Sequence, residues 1–178
     1  MTLANPVHTA KDTVAQVVGA ASSNRLAELI KGRADIFALT QTTEDAVLQP
    51  CETGAISHAE RAALACRMAG LNAAKQLTEH YQQRLSQHEI TTTLQQLAHP
   101  GTLDTSFTDA RLAALVRHVD LVTQAPKNAT QTDIQALQDA GVTDADIVRL
   151  SELIAFVNYQ LRLIAGLRLL ADRMGDQA

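Results

Sequence analysis

From Thr143 to about Arg173 the sequence offers one long helical segment, and its patterning limits the folds open to the rest of the chain. Leu150, Leu153, Ile154, Val157, Leu161 and Ile164 recur at helical spacing and form a stripe that should face the core. Phe156, Leu163, Leu167 and Leu170 form a second stripe, about 100° or more away on the helical wheel. A surface helix needs one apolar stripe. Two imply either a fully enclosed central helix or a subunit interface. Asn158, Gln160, Arg162 and Arg168 interrupt the run, so no stretch approaches the ~18 apolar residues of a membrane span.

The remaining chain reads as shorter helices. Asp12 to Val18 is a weak helix ended by Gly19, and Ser22, Ser23 and Asn24 offer caps for Arg25 to Lys31. Ala34 to Leu48 forms a third helix, which Pro50 stops. Ser57-His58-Ala59-Glu60 has the spacing of a capping box and opens an Ala-rich helix, in which Gly70 and Asn72 predict a kink or a break. Further helices are expected over Glu89 to Ala98, over Asp109 to Gln124 with Thr108 as cap, and from Thr132 to Ala140. Strand alternation and internal repeats are absent. At 178 residues the chain fits one domain, 1–178, with an N-terminal helical extension over 1–50 and a helical core over 57–173. The 46% of apolar residues suffice for a core, but only 3% are aromatic and Trp is absent, so Leu, Ala, Val and Ile must fill it. The expectation is an all-α bundle of about seven or eight helices.

Charge and cysteine usage exclude several function classes. The net charge is −4, with Lys and Arg scattered rather than patched, which sets nucleic acid aside. Cys51 and Cys66 lie fifteen positions apart in a chain that does not need a lone disulfide, and Met1 to Lys11 lacks a signal-like apolar region. A cytoplasmic location with no membrane partner is expected. His99, His118 and Asp120 fit no familiar ligand spacing, so no metal and no cofactor is expected.

Two blocks carry a resemblance. Glu60 to His80 runs Glu-Arg-Ala-Ala-Leu-Ala-Cys-Arg-Met-Ala-Gly-Leu-Asn-Ala-Ala-Lys-Gln-Leu-Thr-Glu-His. The second block, Arg111 to Leu167, includes Ala125-Pro126, Thr132-Asp133-Ile134, Ala140-Gly141-Val142 and Phe156-Val157-Asn158-Tyr159-Gln160-Leu161-Arg162. Together they resemble the carboxymuconolactone decarboxylase and alkylhydroperoxidase-D-like family, in particular its longer, peroxidase-related members. The family's helix pair carries a Glu, then Leu-Asn, Cys-x-x-Cys and a His four residues on. Matching Leu71-Asn72 and His80 to it puts Ala73 and Gln76 at the two cysteine positions, with one extra residue between Glu60 and Leu71. Family peroxidases attack peroxide with the second cysteine and resolve with the first, which Ala73 and Gln76 cannot do. The decarboxylase branch also lacks the cysteines.

The resemblance implies Glu60 and His80 as an acid–base pair, brought together if the chain folds back near Gly70. The plainer reading is a capping-box Glu60 and a partly buried His80. Cys66 reads as a small core residue and Cys51 as a loop residue. Asn158 and Arg162, one turn apart, suit an anionic ligand, a neighbouring helix end, or a polar strip between the two stripes. Three functions follow: a cysteine-independent enzyme on a small carboxylate or lactone, a peroxidase-related antioxidant protein, or a non-catalytic oligomer. The resemblance also implies a homo-oligomer meeting through its long helices, with Phe156, Leu163, Leu167 and Leu170 in the seam.

Overall fold

The computed structural model describes residues 12–20 and 24–175, and among them every regular element is helical. Nine α-helices follow in order: α1 Thr13–Val17, α2 Asn24–Lys31, α3 Ala34–Leu48, α4 His58–Leu71, α5 Lys75–Leu85, α6 Thr92–Ala98, α7 Ala110–Gln124, α8 Gln131–Asp139 and α9 Asp144–Gly175. Short 3₁₀ turns at Asp104–Ser106 and Pro126–Asn128 flank α7. The caps Ser22 and Ser23 lie outside the described residues.

Local chemistry sets the helix ends. Asp12 caps α1 by accepting from the Ala15 amide at 3.0 Å. At α4 the expected capping box forms, Ser57 Oγ accepting from the Glu60 amide while Glu60 Oε2 accepts from the Ser57 amide at 2.8 Å. Helix α7 is capped by Asp109, one residue after the expected Thr108, because the Asp109 carboxylate accepts from both Arg111 and Leu112 amides. Thr130 and Asp133 make a second capping box, so α8 starts earlier than the Thr132 signal suggested. Glu89 stays outside α6, which Thr91 caps instead.

The break after α4 has a defined form. The Ala73 amide donates to the Gly70 carbonyl and the Ala74 amide to the Ala69 carbonyl, the paired bonds of a Schellman turn. Such a turn needs one left-handed residue, and Ala73 supplies it at φ 52°. For a residue with a Cβ this conformation is unfavourable by roughly 1 kcal/mol. The turn sends α5 back along α4, and Cys66 Sγ reaches the Thr78 carbonyl at 3.9 Å.

Helix α4 is buried on nearly every side, from Arg61 to Ala69, and packs on α5, α6, α7 and α9. Its alanines permit that close approach. Its two arginines hold loops. Arg61 donates to the carbonyls of Val47, Thr53 and Ile56 and so organises the α3–α4 connection. Arg67 forms a bidentate pair with Asp120 of α7, both distances 2.6 Å, and donates to the carbonyls of His99 and Thr102. On the other side of the same connection, Asp146 of α9 accepts from the Ala55 amide. Gly54, at φ +62°, leaves room for that carboxylate, since a Cβ there would lie 2.0 Å from Asp146 Oδ1.

Helix α9 packs on α1, α3, α4, α7 and α8. Contrary to the expectation from its polar interruptions, it is by length and composition apolar enough to cross a membrane, and 39% of that apolar window is buried inside the fold. Its first stripe lies in the core as expected. The second stripe is corrected: Phe156 is itself buried, Leu163 and Leu167 pack partly buried against the core, and only Leu170 is exposed. Helix α1 covers part of it, with Arg168 donating to the Val17 carbonyl.

Arg67 is fully buried, so its charge depends on Asp120. Asp120→Ala should lower stability by about 3 kcal/mol, the low end for orphaning a buried charge because two carbonyl bonds remain. Urea unfolding of the variant checks this.

Candidate functional site

An acidic residue on a buried helical stripe must find donors or lose its charge. In α3 the buried positions are Phe37, Thr40, Glu44 and Leu48, one face of the helix with a carboxylate in its middle. Glu44 is completely buried and is met by four side-chain donors. Its Oε1 accepts from His80 Nε2 at 2.7 Å, from Thr13 Oγ1 at 3.2 Å and from Arg84 Nη2 at 3.4 Å. Its Oε2 accepts from Gln160 Nε2 at 2.6 Å. The Gln160 amide oxygen in turn accepts from the Tyr81 hydroxyl at 2.5 Å. Residues from α1, α3, α5 and α9 therefore converge on one carboxylate.

The electrostatics follow from these contacts. Burial alone would raise the Glu44 carboxyl, but the hydrogen bonds from His80 and Gln160 and the nearby His80 and Arg84 charges hold it below its ordinary value. An ionised carboxylate only accepts, so the hydrogen of this bond sits on His80 Nε2, and in the neutral form of the ring Nδ1 carries the lone pair. Tyr81 is driven well above its usual range by burial and by the Glu44 charge, so its hydroxyl remains a donor. His80 and Arg84 border a polar cavity of about 270 Å³, with Thr13, Gln16, Gln41, Asp45, Gln83 and Gln87 around it.

Glu60 and His80 are not brought together. Helix α4 does break near Asn72, and α5 does fold back, but the register that sets Cys66 against Thr78 carries Glu60 about one turn past His80. Glu60 serves Ser57 and forms an ion pair with Arg111 of α7 at 2.8 Å. Burial would raise its carboxyl, but Arg111 and the Ser57 bonds lower it. Glu60 does not border the His80 cavity, so the acid facing His80 is Glu44. Sequence reading missed Glu44, Tyr81, Arg84 and Gln160. The available signal was Glu44 itself, in helical register with Phe37, Thr40 and Leu48 on one face.

The other candidates take separate places. Ala73 is the left-handed turn residue, and Gln76 accepts from Arg168 at 2.6 Å. Cys66 is buried, and burial pushes its thiol up to about 11; Cys51 is exposed, and both are free. Asp120 is taken by Arg67, and the His99 ring accepts from the Gly101 amide. Among the described residues no three His, Cys, Asp or Glu side chains are grouped to hold a metal ion.

The fold is similar to that of an uncharacterized peroxidase-related protein from Silicibacter sp. TM1040, whose crystal structure matches with a TM-score of 0.54. The match covers 75% of this chain and 69% of that one at 15% identity, so the likeness is one of fold. No protein-family model and no curated protein matches the sequence. The class defined by the fold is an all-α helical bundle.

A lowered carboxylate contributes stability above its unfolded value, near pH ~4.3, that is lost as pH falls through its folded value. The stability difference between wild type and Glu44→Gln should therefore be largest near neutral pH and shrink as pH falls below about 4. Urea unfolding of both proteins over a pH series measures it, and a constant difference would contradict the assignment.

Proposed function

We propose that this protein is a cysteine-independent acid–base enzyme on a peroxidase-related scaffold, acting on a small carboxylate or lactone. The observation that carries the proposal is the fully buried Glu44 carboxylate on His80 Nε2. That bond fixes the imidazole orientation and tautomer, leaving Nδ1 as the proton-accepting atom. His80 is assigned the proton transfer, and Glu44 is its positioning residue. The hydroxyl and amide groups of Thr13, Gln16, Gln41, Gln83 and Gln87 around the cavity suit an oxygen-rich substrate. The reaction supported is transfer of a proton to or from a carbon beside a carbonyl, with His80 Nδ1 taking the proton and returning it.

The peroxidase-related alternative needs a thiolate, and the raised Cys66 thiol works against one. The non-catalytic alternative draws on the same cluster, because Glu44 also ties four helices together. One experiment separates the three. Deuterium wash-in beside the carbonyl, followed by NMR across a panel of small lactones and oxo acids, should be catalysed by wild type. His80→Gln should slow it by roughly 10²-fold or more, and Glu44→Gln should shift its pH profile. Reduction of cumene hydroperoxide with a dithiol should stay at background in wild type and in Cys66→Ala. Absence of exchange throughout the panel sinks the enzyme reading, and thiol-dependent peroxide turnover replaces it with the peroxidase one.

We also propose that the protein works as a homo-oligomer, through a surface that shares Phe156 with the second stripe but otherwise lies against α3. Beside α9 an apolar groove of about 620 Å³ lies against α3, bordered by Leu39, Ala155, Tyr159 and the edge of the largely buried Phe156. Sedimentation velocity should show an assembly that Leu39→Asp with Ala155→Asp dissociates. A wild-type monomer at all concentrations ends this part of the proposal.

A further inference from the structure

A trough follows α9 on the side of α7 and of the α4–α5 turn. Its first part, about 390 Å³, is bordered by His118, Val122, Pro126, Ile154 and Ala155. Asn158 and Arg162 border this part and also a second of about 300 Å³, which continues to Arg168. Neither part shares a residue with the His80 cavity.

Three features of the trough point to a ligand. No Asp or Glu borders it, although the chain as a whole carries a net charge of −4. Its two guanidinium groups also lack carboxylate partners among the described residues. Arg162 donates to the Asn158 carbonyl at 2.8 Å, and Arg168 to the Val17 carbonyl and the Gln76 amide oxygen. A guanidinium presents five N–H donors in a fork that matches a carboxylate, so Arg162 keeps most of its capacity open.

The third feature is His118. It is more than nine-tenths buried, and neither ring nitrogen has a hydrogen-bond partner; Nδ1 is also sealed from solvent. A buried polar atom without a partner is uncommon in native packing, and Nδ1 is one. Burial lowers the imidazole below its ordinary value, which keeps the ring neutral and its desolvation tolerable. Nε2 is not sealed, and it is the nitrogen that a group entering the trough would meet.

We propose that the trough binds an organic carboxylate with an apolar body. Arg162 takes the carboxylate, with Arg168 adding positive charge beyond it. Val122, Pro126, Ile154 and Ala155 cover the apolar part, and His118 Nε2 meets a polar substituent at the far end. The apolar walls distinguish this from a site for a bare inorganic anion.

Isothermal titration calorimetry with hexanoate, 6-hydroxyhexanoate, 1-hexanol and inorganic phosphate tests the assignment on the full chain. Hexanoate should bind saturably, and 1-hexanol at least about tenfold more weakly, the scale of a lost charge-assisted hydrogen bond. Arg162→Gln, at an exposed position whose only bond is to its own helix, should weaken hexanoate by a similar factor with an unchanged circular dichroism spectrum. The hydroxylated acid should bind more tightly than hexanoate, and His118→Leu should abolish that difference. If His118→Leu does not fold, the wild-type comparison of the two acids still decides the role of the far end. No saturation by hexanoate, equal binding of 1-hexanol, indifference to Arg162→Gln, or phosphate binding as tightly as hexanoate would each overturn the proposal.

Discussion

The Glu44 carboxylate governs how the helices of this bundle can sit. Four donors reach it from α1, α5 and α9, so three separate parts of the chain must arrive at one point with hydrogen-bonding geometry. The core around it is made of Leu, Ala, Val and Ile, side chains that interdigitate in many nearly equal ways. Directional bonds to a charge have no such latitude. A slide of α9 by one residue would withdraw Gln160 and leave both Glu44 and Tyr81 unsatisfied in a dry interior, a loss of several hydrogen bonds at once.

Buried charge is used the same way elsewhere, to fasten loops rather than helices. Arg61 gathers three carbonyls of the α3–α4 connection, and Arg67 gathers two from the segment after α6 while pairing with Asp120. Asp146 holds the same α3–α4 connection to the start of α9. These side chains bind backbone that no helix satisfies, which removes the desolvation cost of carbonyls lying close to the core. The small residues of α4 make this possible, since only a narrow helix leaves an arginine room to pass beside its neighbours.

The helix pair at α4 and α5 carries Ala73 and Gln76, not cysteines, at and just after its turn, and each has a structural task. Ala73 is occupied in making the turn and Gln76 in meeting Arg168. Glu60 was legible as a capping residue from Ser-x-x-Glu spacing alone, and the cap is what forms. Its pairing with His80 was not, because opposition across a hairpin depends on helix register, and the turn sets that register. The long stripe on α9 was legible in outline, but whether Phe156 faces solvent or core depends on helices far away in sequence.

Sequence by itself determined the all-helical class, the order of the helices, most of their ends, and the absence of a cysteine pair from the positions where a dithiol would stand. Those properties are local: periodicity, capping and proline act within a few residues. Tertiary structure alone decided that His80 answers to Glu44, that Glu60 answers to Arg111, and that His118 is left unpaired beside Arg162. Thirty-six residues separate Glu44 from His80 and 116 separate it from Gln160. No local rule selects such partners. They are fixed by the packing of the whole bundle, which brings together side chains from helices far apart in sequence.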